Sequence, residues 1–202
     1  MSKNPFVIGI SGAVGSGKTW FANRLKESIS KPVCIFTLDI YSKDEEYVNG
    51  LEFRYDNPQA INYDKAYAEF SKLRKDKSVK LPVYDYASHR VVSEITCNAP
   101  SVIIIEGLYA FWDKRFLDEM DFKIWIEADE QICKERRIRR DVKERGESFE
   151  ESMRRHINDS EPAFDIYYKK GKRFSDCMFY NVQANSSPKL IEVLNNHIYG
   201  KR

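Results

Sequence analysis

The sequence predicts an α/β fold of three layers, with helices on both sides of a five-stranded parallel sheet. Three observations carry that prediction. Short β-branched or aromatic runs alternate with amphipathic patterns along the 202 residues, and such alternation winds a parallel sheet through right-handed crossovers. Several runs, Val102-Ile103-Ile104-Ile105 most plainly, lack polar alternation and read as strands buried on both faces. The first run ends in a glycine-rich turn, Gly12-Ala13-Val14-Gly15-Ser16-Gly17-Lys18-Thr19, from which a helical pattern starts.

In chain order, the first strand spans 6–10. The helix after it, 18–30, sets Phe21, Leu25 and Ile29 at i, i+4 and i+8, one apolar face. A strand follows at 33–38, then a helix at 64–75 whose inward face carries Tyr67, Phe70 and Leu73, with Tyr63 just before it. Residues 79–97 break the rhythm: two extended runs flank Asp85 to His89 and read as a β-hairpin rather than a crossover. Such an insert is either a flap over ligands at the carboxyl ends of the strands or a surface ornament. Strands at 102–105 and 122–126 come next, then a long charged helix at 128–145. Residues 148–168 form one helix or two, because Pro162 ends or kinks it. A last strand at 177–180 precedes a closing helix at 187–198 with Leu190, Val193 and Leu194 inward.

Bulk properties exclude several classes. Apolar residues at 42% and charged residues at 32% describe a soluble globular chain of one domain, residues 1–202. A net charge of +2 gives no basic field for nucleic acid. No apolar stretch approaches the roughly 18 residues of a membrane span, and residues 1–10 do not read as a signal peptide. Cys34, Cys97, Cys133 and Cys177 are scattered without metal-ligand spacing; free thiols in a reducing cytoplasm are the expectation.

The glycine-rich turn fits G-x-x-x-x-G-K-[ST] at every fixed position. Gly12, Gly15 and Gly17, with Ser16, let backbone N–H groups converge on phosphate oxygens, and the following helix adds a positive dipole end. Lys18 reaches the β- and γ-phosphates, and the Thr19 hydroxyl holds Mg²⁺. This is a P-loop NTPase motif, and it says nothing of what receives the phosphate.

Other residues carry chemistry by position. Asp39 ends the second strand on the loop's side of the sheet and reads either as the base for an attacking hydroxyl or as a turn residue. Glu106 ends the 102–105 strand and reads as a Mg²⁺ ligand beside Thr19, or as an edge carboxylate. Residues 134–145 hold seven positive and three negative charges, five of them arginines. Arg137 and Arg140 lie one turn apart, and Arg145-Gly146 ends the helix. These residues form an arginine lid over the phosphates, extending through 134–155, or a solvated face. In Tyr55-Asp56-Asn57-Pro58 the carboxylate suits a sugar diol, although an Asp-Asn-Pro turn needs no function.

In this order the segments resemble the uridine kinase (uridine–cytidine kinase) family of P-loop kinases over residues 6 to about 180. The matching pieces are the Gly12–Thr19 loop, Asp39-Ile40-Tyr41-Ser42-Lys43-Asp44, Tyr55-Asp56-Asn57-Pro58, Pro82-Val83-Tyr84-Asp85-Tyr86 with His89-Arg90, Ile105-Glu106-Gly107, Arg136 to Asp141, Glu144-Arg145-Gly146 and Glu161-Pro162-Ala163-Phe164. The resemblance implies ATP- or GTP-dependent, Mg²⁺-assisted phosphorylation of the 5′-hydroxyl of uridine or cytidine, in a homo-oligomeric enzyme. It implies that Asp39 is the catalytic base, that Asp56 and Arg137 hold the ribose, that Tyr84 and His89 read the pyrimidine edge with Tyr55 against the base, and that Arg140 and Arg145 lie near the phosphates. Four positions depart from the family pattern. Ser42 stands where the family has a pocket tyrosine, so that either the pocket is altered or Tyr41 compensates; Glu147 stands where an arginine is common, Arg155 where a glutamine is common, and Trp20 where a small residue is usual. Related kinases acting on pantothenate, phosphoribulose or nicotinamide riboside, and a nucleotide-binding switch without transferase activity, are the alternatives.

Overall fold

The computed structural model describes residues 4–75, 78–85, 90–181, 192–194, 196 and 198. Its strands are β1 (Phe6–Gly12), β2 (Val33–Thr37), β3 (Val79–Asp85), β4 (Arg90–Cys97), β5 (Val102–Glu106), β6 (Phe122–Glu127) and β7 (Cys177–Tyr180). Five of them form a parallel sheet in the order β2-β5-β1-β6-β7. The two others pair antiparallel as a separate hairpin, with a register shift between Val83 and Tyr84.

Successive residues of a strand face opposite ways, and the sheet divides its apolar residues accordingly. Val7, Phe36, Ile103 and Ile105 pack on one face with Phe70 of α3 (Tyr63–Arg74) and Phe116. Ile8, Ile10, Ile104, Ile124 and Ile126 pack on the other with Phe21 and Leu25 of α1 (Lys18–Ser28). Phe21, Phe36, Phe70 and Phe116 are fully buried; each contributes roughly 1.5–3 kcal/mol of burial energy. The β3–β4 hairpin roots in the α3-side core through Val79 and Leu81, and Leu81 to Asp85 line a cavity together with Lys18, Asp39 and Glu106.

The short helices α2 (Glu45–Asn49) and α4 (Lys114–Glu119) lack an amphipathic pattern long enough to read, but each is capped by an aspartate, Asp44 or Asp113. Helix α5 (Glu130–Arg145) ends at Gly146 with φ of 72°. Helix α6 (Phe149–Arg155) runs into two π turns, His156–Ser160 and Phe164–Tyr168, on either side of Glu161–Ala163. Pro162 therefore does not end the helix. It sits in the first turn of a new α segment, where its missing N–H is tolerated, and the widened turns relieve the clash of its ring with the preceding carbonyls.

Two expectations are corrected. Cys34 of β2 and Cys97 of β4 form a disulfide, with Cα atoms 6.0 Å apart, whereas all four cysteines read as free thiols. The partners are 63 residues apart in sequence and meet only because the hairpin folds back on β2. Cys133 and Cys177 are free, as expected. Val193, expected inward, is half-exposed, while Leu194 is fully buried; Leu190 lies outside the described residues.

Candidate active site

The glycine-rich turn closes around its own lysine. Lys18 Nζ donates to the carbonyls of Gly12 (3.1 Å) and Ala13 (2.9 Å). Gly15 and Gly17 have φ of 78° and 95°, a region that side chains rarely adopt. A Cβ on Gly15 would meet the Cys133 carbonyl at 2.1 Å, and one on Gly17 the Asn181 amide at 2.3 Å. The loop is thus pressed against α5 and the residue that ends β7. Asn181 Nδ2 donates to the Ser16 carbonyl at 2.8 Å.

Two carboxylates converge on the lysine. Asp39 follows β2 in a 3₁₀ turn (Leu38–Tyr41), and its Oδ1 accepts from the Leu108 N–H at 3.2 Å. Glu106 ends β5, and its Oε2 accepts from the Thr19 hydroxyl at 3.3 Å. Burial pushes the Lys18 ammonium below its ordinary value, against the pull of Asp39 and Glu106. Burial raises Asp39, against the opposing effect of Lys18. Burial, with the neighbouring Asp39 charge, pushes Glu106 up to about 7. Both acids are therefore short of positive charge, and Thr19 and Glu106 supply adjoining hard oxygen donors. That combination fits a Mg²⁺ ion completed by phosphate oxygens and water. No cluster of three or more metal-ligating side chains occurs among the described residues.

Two cavities meet at this point. Both are lined by Gly15, Lys18, Thr19, Asp39, Tyr84, Arg140 and Arg145. One continues past Trp20, Thr37, Pro82, Glu106 and Arg136. The other continues to Ser42, Tyr55, Asp56, Tyr109, Arg137, Glu147 and Arg155. Of the residues expected from sequence, all described ones except Gly12, Ser16 and Tyr41 line one cavity or the other; Gly12 and Ser16 belong to the turn itself. Tyr41 is only 2% exposed, stacks on Phe36 and donates to Glu69 at 2.5 Å. It is a core residue, and the smaller Ser42 beside it faces the cavity. His89 lies outside the described residues.

The arginines are ordered by Asp141, which motif spacing alone did not single out. Its buried carboxylate lies 3.4 Å from Arg137 Nε, 2.9 Å from Arg140 Nη2 and 3.2 Å from Arg145 Nη1, and it accepts from Ser152 at 3.2 Å. Burial works to raise the Asp141 carboxyl, but Arg140, Arg145 and Arg137 hold it below its ordinary value. Asp56 is engaged likewise: it accepts from Ser160 at 2.6 Å and from Tyr168, and lies 3.6 Å from Arg137. Arg137 Nη1 is buried without a partner. A lysine and several arginines set at the mouth of a glycine-rich turn, opposite a carboxylate, can bind a polyphosphate and align a hydroxyl against it.

A family model described as phosphoribulokinase/uridine kinase matches residues 7–187. The chain belongs to this family. Among relatives of the phosphoribulokinase/uridine kinase family, a uridine kinase of Saccharomyces cerevisiae is 33% identical over 98% of the chain and 40% of its own length. A uridine kinase of Staphylococcus aureus is 32% identical over 95% of the chain and 94% of its own length. The chain thus spans about two fifths of the length of the yeast relative. The phosphoribulokinase of Rhodobacter spheroides superposes with a TM-score of 0.63 at 14% identity, covering 93% of the chain and 74% of that structure. That likeness is one of fold.

Proposed function

We propose that the chain transfers the γ-phosphoryl group of ATP to the 5′-hydroxyl of uridine or cytidine. The observation that carries this reading is the junction of the two cavities at Lys18 and Asp39. One cavity takes the triphosphate and the other the acceptor, so the transferring group crosses between them. Asp39, fixed by the Leu108 N–H, takes the proton of the acceptor hydroxyl as its oxygen bonds to phosphorus and ADP departs. Lys18, Arg140 and Arg145 stabilise the charge on the phosphoryl oxygens. When bound, Mg²⁺ at Thr19 and Glu106 supplies further neutralisation of the phosphates.

In the acceptor cavity Tyr55 and Tyr84 offer aromatic surface to a flat base, and Arg137 and Asp56 adjoin the sugar. The names of the yeast and Staphylococcus relatives point the same way. Residues 1–202 act as one kinase unit, in which the β3–β4 hairpin reaches the acceptor cavity through Tyr84. Among the described residues no helix is long and apolar enough to cross a membrane. Product formation from ATP and Mg²⁺ with uridine, cytidine, pantothenate or ribulose 5-phosphate tests the reading. Uridine or cytidine is expected to be turned over most efficiently, and Asp39→Asn to lower kcat by about 100-fold or more while ATP binding persists. Preference for either non-nucleoside acceptor overturns it.

A further inference from the structure

The far corner of the acceptor cavity carries a polar pair of unusual composition. Glu147 follows Gly146, whose left-handed turn redirects the chain at the end of α5, and the Glu147 N–H donates to the Asp141 carbonyl at 3.1 Å. Arg155 ends α6, two turns further along. Both line the cavity, and their side chains are only 15% and 19% exposed. Arg155 Nη1 donates to Glu147 Oε1 at 2.5 Å. Glu147 Oε2 is buried and has no hydrogen-bond partner. Arg155 acts electrostatically on Tyr55, so the pair borders the aromatic side of the cavity.

A buried carboxylate oxygen without a donor is costly. Arg155 offsets the charge of Glu147 and fixes its orientation, but it engages only one of the two oxygens. Glu147 lines the cavity, so a small turn of its carboxylate lets a ligand N–H there complete the arrangement, whereas a ligand that brings a lone pair is repelled. The two pyrimidine bases differ in this respect. Uracil carries a hydrogen on ring nitrogen N3 between two carbonyls, whereas cytosine presents a lone pair at N3.

We infer that Glu147, held by Arg155, is a specificity-determining residue that accepts the ring N3–H of a uracil base and disfavours cytosine. The inference rests on the nucleoside kinase reading given above. Glu147→Gln keeps the shape and removes the preference, because a carboxamide can turn either its oxygen or its NH₂ toward the base.

The test compares kcat/KM for uridine, cytidine and 3-methyluridine in the wild type and in Glu147→Gln, each with ATP and Mg²⁺. The wild type is expected to favour uridine over both others by about tenfold to a hundredfold, the range of one charge-assisted hydrogen bond. Glu147→Gln is expected to compress the uridine-to-cytidine ratio by at least about tenfold. The wild-type comparison with 3-methyluridine needs no variant, so it stands even if the substituted protein folds poorly. Near-equal use of uridine and 3-methyluridine by the wild type, or a uridine-to-cytidine ratio untouched by Glu147→Gln, overturns the inference and leaves the nucleoside kinase reading in place. Turnover of neither uridine nor cytidine by the wild type overturns that reading instead.

Discussion

Glu106→Gln is expected to make the nucleotide-free protein more stable above neutral pH while impairing its activity. In the folded chain the Glu106 carboxyl is raised from 4.5 to about 7, by burial first and by Asp39 second. The folded state therefore holds this proton more tightly than the unfolded state does. Below pH of about 4.5 both states are protonated and the residue is neutral toward folding. As pH rises toward 7 the unfolded chain releases the proton and the folded chain does not, so stability is lost across that window and stays lost above it. A separation of about 2.5 pH units corresponds to roughly 3 kcal/mol. Glutamine has the same shape and no proton to lose. At pH 8 the variant should exceed the wild type by roughly 3 kcal/mol, about 10 °C in Tm for a chain of this size, and at pH 5 the two should nearly coincide. Thermal or urea unfolding of both proteins at intervals from pH 5 to 8.5, without nucleotide or divalent cation, measures the difference directly. Parallel stability profiles for the two proteins would refute the reasoning, since they would mean that the Glu106 carboxylate is not held at a cost.

Asp141→Asn should lower stability by about 3 kcal/mol, because buried Arg137 keeps only the longer 3.6 Å pair with Asp56, and should lower kcat more than tenfold by releasing three arginines from one anchor. Urea unfolding and steady-state kinetics check both, and an unchanged kcat would show that the arginines hold their positions unaided. Denatured without reductant, the chain should titrate two thiols rather than four, since Cys34 and Cys97 are joined. Cys97→Ser should cost about 4 kcal/mol of unfolding free energy, as expected for a cross-link spanning 63 residues.

The parts of this molecule written in local pattern were legible in advance. The five sheet strands fall where apolar runs predicted them, most plainly β5, which is buried at every position. The glycine-rich turn was legible because its positive φ values and its contacts with Cys133 and Asn181 admit almost no other residue at Gly15 and Gly17. What was missed depends on distant contacts. The Cys34–Cys97 pair exists only after the hairpin docks. Tyr41 was drawn into the core by Phe36 and Glu69, which no spacing encodes. Asp141, by contrast, was open to local reading: Arg137 and Arg145 lie four residues to either side of it on α5 and Arg140 beside it, and only Ser152 reaches it from another helix. At Pro162, where one helix or two was expected, the turns continue as one run, with π turns on either side of Glu161–Ala163.

The bond between Asn181 and the Ser16 carbonyl joins residues 165 positions apart. A motif made early in this stretch of chain is thus finished by a strand made much later. Until β7 docks beside β6, Gly17 has no neighbour at its open side, and the turn that grips the triphosphate lacks its backing. Nucleotide affinity consequently reports on completion of the whole sheet, and a nascent chain halted after α6 would hold all eight residues of the motif without a finished binding site. Contacts of such long sequence separation also slow folding, so the interval between synthesis and competence is set by this closure rather than by the early strands.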